Sequence, residues 1–270
     1  MLSRFLYIPF VLGAVITLFY AVIVDSYCAI YAVPFVVCLA VVYILSPQID
    51  WWWYKTHPPQ LPPMLRHLIN TEFPFYQNLT VADKTRFRTR MAMYMEANEF
   101  MPQGLESVPM DIMGVVAATA VQLTFGHEDY LMNKFEHIIV YPHPFPSPQH
   151  PEEWHASEHF EEDGVIMLSA EQLMPGFMKP QRFLNIGLYE YTRVFRNCHP
   201  EVVFPPIGEE HWPALEEISG FPKDKTIKYI GLKEIDMTAL AVSHFFVFGE
   251  KFKAKLPEEY EGFARALKVV

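Results

Sequence analysis

Positive charge is scarce in this chain. Of its 270 residues 21 are Lys or Arg against 31 Asp or Glu, and the formal net charge is −10 with neutral histidines. Holding nucleic acid takes a basic face that replaces phosphate counterions, so nucleic acid is excluded as the main partner. Cysteine is scarcer still, at Cys28, Cys38 and Cys198. Two of the three lie in an apolar stretch, which leaves neither a disulfide framework nor a cysteine-ligated zinc module. The 12 glycines form no phosphate-cradling loop, and there is no internal repeat or low-complexity tract. Apolar residues, by contrast, are abundant. At 51% hydrophobic and 15% aromatic against 19% charged, the chain can bury enough surface to offset its conformational entropy, which excludes a disordered linker protein.

From Phe5 to Ser46 the only charged residue is Asp25. Phe5–Val24 matches the roughly 20 residues a spanning helix needs, and a second apolar run, Cys28–Leu45, follows the polar break at Asp25-Ser26. Two such runs in succession predict a transmembrane helical hairpin over residues 1–47, with lipid along 5–46. A cleaved signal peptide would have one short apolar core. Pro34 is expected as a kink inside the second span. Trp51, Trp52, Trp53 and Tyr54 suit the headgroup layer. Arg4 lies on one flank and Lys55 and Arg66 on the other, while the turn holds no cation. The positive-inside bias then places both ends in the cytoplasm.

Residues 48–64 read as a Trp- and Pro-rich juxtamembrane linker, because His57-Pro58-Pro59-Gln60-Leu61-Pro62-Pro63 is held extended by its prolines. Residues 65–270 are expected to form one domain that carries the whole acidic excess. Thr80-Val81-Ala82-Asp83 is a capping signal for a helix to about Phe100. Helices are also predicted over about Met110–Phe125, Gln181–Arg196, Trp212–Ile218, Ile235–Phe248 and Glu258–Leu267. His137–Tyr141 reads as a strand stopped by Pro142. Trp154–Phe160 and Val165–Leu168 pair as strands around a turn ending Asp163-Gly164. The fold class is α+β, mostly helical with a small sheet.

Five phrases then come together in order: VAATAVQLTFG (116–126), IIVYP (138–142), GVIMLS (164–169), NIGLYEYTRV (185–194) and DMTALAVSHFF (236–246). Together they resemble the soluble domain of the MtfA family of zinc-dependent peptidases, which has a gluzincin-like fold, over about residues 65–265. The resemblance implies a helix bearing His-Glu-x-x-His. In that motif two histidines hold zinc, the glutamate acts as general base on the bound water, and a carboxylate from a later helix is the third ligand. This chain departs from the motif, reading Tyr189-Glu190-Tyr191-Thr192-Arg193. Tyr189 matches the first histidine, Glu190 the general base, Arg193 the second histidine, and Asp236 the third ligand. A guanidinium has no lone pair for a metal, and neutral Tyr189 is a poor ligand. The resemblance therefore implies zinc as cofactor while the ligands for it are replaced, and the expectation is no cofactor. Arg193, at i+3 from Glu190, is expected to sit between the Glu190 and Asp236 carboxylates as a fixed charge in place of the ion.

Other titratable residues offer less. His155 and His159, four apart on a strand, lie about 13 Å apart, too far for one zinc, and read as a polar hairpin edge. His143 and His150 sit in a Pro-rich loop, and His244 is expected to pack or hydrogen-bond. Cys198-His199 are adjacent in sequence and so poorly aligned for catalysis. The resulting expectation is a membrane-anchored, catalytically inactive MtfA-like pseudopeptidase. It would serve as a protein-binding, regulatory or assembly subunit at the inner (cytoplasmic) membrane, its soluble domain facing the cytoplasm and its protein partner unnamed. Two alternatives stay open: a zinc-dependent peptidase with a rearranged metal site, and a metal-free hydrolase using Tyr189, its pKa lowered by Arg193, with Glu190.

Overall fold

A computed structural model describes residues 2–269. The chain divides into two compact units, residues 1–59 and 60–270. The first unit is α1 (Leu2–Ile23), a 3-10 turn (Ser26–Ala32) and α2 (Val33–Thr56). Asp25 opens the turn by accepting the Tyr27 N–H at 3.0 Å. Ser3 donates from both its N–H (2.9 Å) and its hydroxyl (2.7 Å) to the Asp50 carboxylate, which ties the two helices at their far ends. Two helical stretches, Leu2–Ile23 and Ser26–Thr56, are long and apolar enough to cross a membrane. Only 6% and 11% of their most apolar windows is buried, which separates them from soluble core helices. Two expectations change here. Pro34 stands in the first turn of α2, where its missing N–H is harmless, instead of kinking a span. Trp51–Tyr54 continue α2 to Thr56, so residues 48–56 of the linker are helical, while the extended connector falls at 57–62, where the prolines place it.

The second unit runs α3 (Pro63–Glu72), α4 (Pro74–Gln77), α5 (Val81–Ala97), β1 (Glu99–Pro102), α6 (Met110–Leu123), β2 (His137–Tyr141), β3 (Ser157–Phe160), β4 (Val165–Ser169), α7 (Ala170–Met178), α8 (Ile186–Cys198), α9 (Trp212–Ser219), α10 (Lys223–Ile230), α11 (Met237–Val247), α12 (Gly249–Lys255) and α13 (Pro257–Leu267). The Thr80 hydroxyl caps α5 by accepting the Asp83 N–H at 3.2 Å and donating to the Asp83 carboxylate at 2.7 Å. α6 is apolar nearly all round, and every residue from Gly114 to Leu123 is buried. A helix of that kind belongs in the centre, and it packs on α5 and α8.

The sheet order is β1-β2-β4-β3. β1, β2 and β4 are parallel, while β3 pairs antiparallel to β4 with Ser157 opposite Leu168 and His159 opposite Ile166. The expected hairpin is present, and Gly164 (φ +61°) supplies the left-handed residue that its turn requires. Ahead of β3, the Ala156 N–H donates to the Ile230 carbonyl at the end of α10 (2.8 Å). β3 also packs against α8, which positions the site.

Candidate functional site

The α8 segment begins at Asn185, whose side-chain carbonyl accepts the Leu188 N–H at 3.0 Å. Nine of its thirteen residues are buried, because α8 is covered by α6, α11 and β3. One of the nine is Glu190, fully buried. A carboxylate there survives only if paired and hydrogen-bonded, and this one is both. Its Oε2 accepts from the Ser157 hydroxyl (2.7 Å) and from Arg193 (3.0 Å). Its Oε1 accepts from His159 Nδ1 (2.6 Å) and from the same Arg193 nitrogen (3.3 Å). Burial pushes the carboxyl up, but the Arg193 charge, with His159 and Ser157, outweighs burial and holds it at about 2. Glu190 in turn raises the Arg193 guanidinium above its ordinary value. His159 donates through Nδ1, since an ionised carboxylate only accepts.

Tyr189 and Asp236 meet beside this cluster. The buried Tyr189 hydroxyl accepts the Asp236 N–H at 3.0 Å, and the Arg193 guanidinium lies 5.9 Å from the Tyr189 ring centroid. Asp236 is the N-cap of α11, taking the Ala239 N–H on Oδ1 at 3.0 Å, while its Oδ2 accepts from Arg196 at 2.7 Å. Arg193 therefore does not bridge the two carboxylates as expected. α8 presents two arginines at i and i+3: Arg193 reaches back to Glu190 on its own helix, and Arg196, one turn on, meets Asp236. The lowered Tyr189 pKa that the metal-free alternative requires is not found either. Burial outweighs the neighbouring guanidinium and pushes the phenol up to about 12.

The hairpin histidines are not a polar edge either. Ser157 and His159, two apart, point from one face of β3 at Glu190. His155 lies ahead of the strand, fully buried, its Nδ1 on the Glu153 carbonyl (2.9 Å) and its Nε2 on the Glu158 carboxylate (3.1 Å). Both partners accept, so only the imidazolium form of His155, donating from each nitrogen, satisfies them together. Burial alone would lower its pKa, yet these partners raise it. Burial pushes the Glu158 carboxyl up, and His155 and Ser147 more than reverse that. His150 joins this group through Glu153 Oε2 (3.1 Å).

His143 is exposed against Glu171 (2.7 Å). His244 hydrogen-bonds the Leu240 carbonyl (2.7 Å), and burial pushes it down to about 4. The Cys198 thiol is raised by burial, the opposite of an activated nucleophile.

The positions that the family resemblance assigns to zinc do not fit a dication as they stand. Glu190 has both oxygens committed to donors, Arg193 adds a fixed positive charge, Tyr189 accepts a backbone N–H, and Asp236 caps a helix while holding Arg196. Among the described residues no group of three or more His, Cys, Asp or Glu is arranged to hold a metal ion. Ser157 is not singled out by the sequence, and His159 is read there only as part of a polar hairpin edge, not as a partner of Glu190. Their two-residue spacing on a strand was the available signal, masked by the more familiar four-residue spacing of His155 and His159.

No curated protein matches the chain. The family model of the glucose-regulated metallo-peptidases M90 matches residues 49–195, more than half of the chain, and ends within α8 two residues beyond Arg193. Together with the α+β fold, this match makes the chain a member of the glucose-regulated metallo-peptidase M90 family.

Proposed function

We propose that this protein is a membrane-anchored M90 family member whose peptidase centre has been converted into a fixed internal ion pair, and that it works by binding protein. The observation that carries the reading is the Arg193–Glu190 pair at 3.0 Å, with Glu190 fully buried. A general base must be free to take a proton near the working pH. Glu190 is held at about 2 by three donors, and the Arg193 position that would supply an imidazole supplies a permanent cation. The metal-free alternative gains no support, because Tyr189 near 12 and Glu190 near 2 lie far from neutral pH on opposite sides. On this reading the two apolar N-terminal helices anchor the chain in the inner membrane and the soluble unit faces the cytoplasm. The unit holds a protein partner or joins an assembly through its surface. The Pro-rich loop at 142–151 is a candidate contact.

The test is metal analysis of the purified full chain together with a peptidase assay before and after zinc addition. The expected result is substoichiometric zinc and no zinc-dependent cleavage. One zinc per chain with cleavage abolished by Glu190→Gln would overturn the proposal. Cross-linking in solubilised membranes should capture one recurrent partner of the soluble unit.

A further inference from the structure

Residues 64–90, comprising α3, α4 and the first half of α5, carry five Lys or Arg against Glu72 and Asp83. Their net charge is +3 in a chain whose net is −10. Arg90 is spent internally, buried and donating to the Thr124 (3.3 Å) and Phe125 (3.0 Å) carbonyls. Arg66, Lys84, Arg86 and Arg88 are exposed or half-buried. None of the four pairs with a carboxylate among the described residues, a state they share with other cations of the unit such as Lys179, Arg182, Lys225 and Lys228; what sets the segment apart is that its cations outnumber its two carboxylates.

Three of the four are positioned by aromatic rings instead. Lys84 Nζ lies 5.7 Å from the Tyr76 ring centroid, Arg88 donates to the Tyr76 hydroxyl at 3.0 Å, and the Arg86 guanidinium lies 5.0 Å from the Phe125 centroid. Such contacts fix a cation without neutralising it. Val81, in the first turn of α5, is 84% exposed, and Met64, in the first turn of α3, is 55% exposed. The segment also begins right after the connector, since α2 ends at Thr56 and α3 starts at Pro63. Six residues reach at most about 20 Å when extended.

We propose that Arg66, Lys84, Arg86 and Arg88 form a docking surface for anionic phospholipid headgroups. This surface would hold the soluble unit on the membrane that contains the hairpin. The inference rests on the membrane reading of α1 and α2. Lys and Arg close to an anionic leaflet are attracted to it, and the attraction fades within about a Debye length of roughly 8 Å at physiological salt. The connector limits only how far the start of α3 can stray from the end of α2, about 20 Å; charge then decides which face turns to an anionic leaflet, attracting these cations and repelling the acidic remainder.

The test is hydrogen exchange on the full chain reconstituted in phosphatidylcholine nanodiscs, with and without phosphatidylglycerol. Peptides covering 64–90 should exchange at least about fivefold more slowly in the anionic discs. That protection should vanish at 1 M salt, where the Debye length is about 3 Å, and in Lys84→Gln/Arg86→Gln/Arg88→Gln. The charge-conserving Arg86→Lys/Arg88→Lys variant should retain it, which separates charge from packing. Equal exchange in both discs, or protection unchanged by salt, overturns the proposal. Protection of α1 and α2 peptides in both discs reports insertion separately, so a hairpin that fails to insert defeats the anchor reading itself.

Discussion

On α8 a buried glutamate is paired with the arginine three residues later, and the energetics of such a pair are asymmetric. Removing one partner leaves an uncompensated buried charge and costs about 3–5 kcal/mol, whereas replacing both by neutral groups of similar size is far milder. Arg193→Ala should therefore lower the melting temperature sharply, and Glu190→Gln/Arg193→Met should recover most of the loss in a thermal melt of the full chain. If the single and double variants melt alike, the pair is not coupled. The pH dependence follows from the same residues. Glu190 is held at about 2 against an ordinary 4.5, so its contribution is complete above 4.5 and drains away as pH falls towards 2. The whole shift is worth about 3 kcal/mol. His155 behaves oppositely. Its pKa is raised above 6.5, so its contribution is complete below 6.5 and is lost as pH rises through the folded value. His155→Gln should flatten the alkaline limb of a stability–pH curve and also weaken the part of the acid limb that Glu158 supplies, leaving the Glu190 part in place.

At the scale of elements, α8 depends on its first residue. Asn185 caps it, and Asn185→Ala should cost about 1 kcal/mol, read as a lower urea midpoint with unchanged slope. That cap also shows where the sequence was hard to read. The helix is predicted from residue 181, just after Pro180, yet it opens at Ile186, where the Asn185 side chain takes the Leu188 amide. Long periodic or uniformly apolar stretches were legible: α5, α6, β2 and the two apolar N-terminal helices lie close to where their patterns place them. β1, α10 and α12, of 4, 8 and 7 residues, were not. Segments so short carry little period of their own and are held by tertiary packing; α9, β3 and β4, no longer, were legible only with flanking signals such as the Asp163-Gly164 turn, and α3 and α7 were missed as well. The site divides in the same way. Glu190 and Arg193 share one helix and could be paired by counting. Ser157 and His159 reach Glu190 only through the β3–β4 register and the packing of β3 on α8, which no local spacing encodes.

At the scale of the molecule, a greasy amino-terminal unit is joined to an acidic unit by six residues. If the hairpin is the anchor, the full chain should pellet with membranes and resist extraction by alkaline carbonate, whereas a chain lacking residues 1–59 should be released by the carbonate. Release of the full chain by carbonate would count against the span. The arrangement of the soluble unit also bears on its self-association. β3 is an outer strand, and an outer strand offers unpaired backbone to any neighbouring copy. Here the amide just upstream, that of Ala156, is already claimed by the Ile230 carbonyl. Gly231 allows that approach, since a Cβ there would fall 2.1 Å from the Trp154 oxygen. The helix end thus works as a stopper, shortening the template on which fibrillar stacking could begin. A bulkier residue at 231 would pull the stopper, and the first symptom would be precipitation rather than a changed activity.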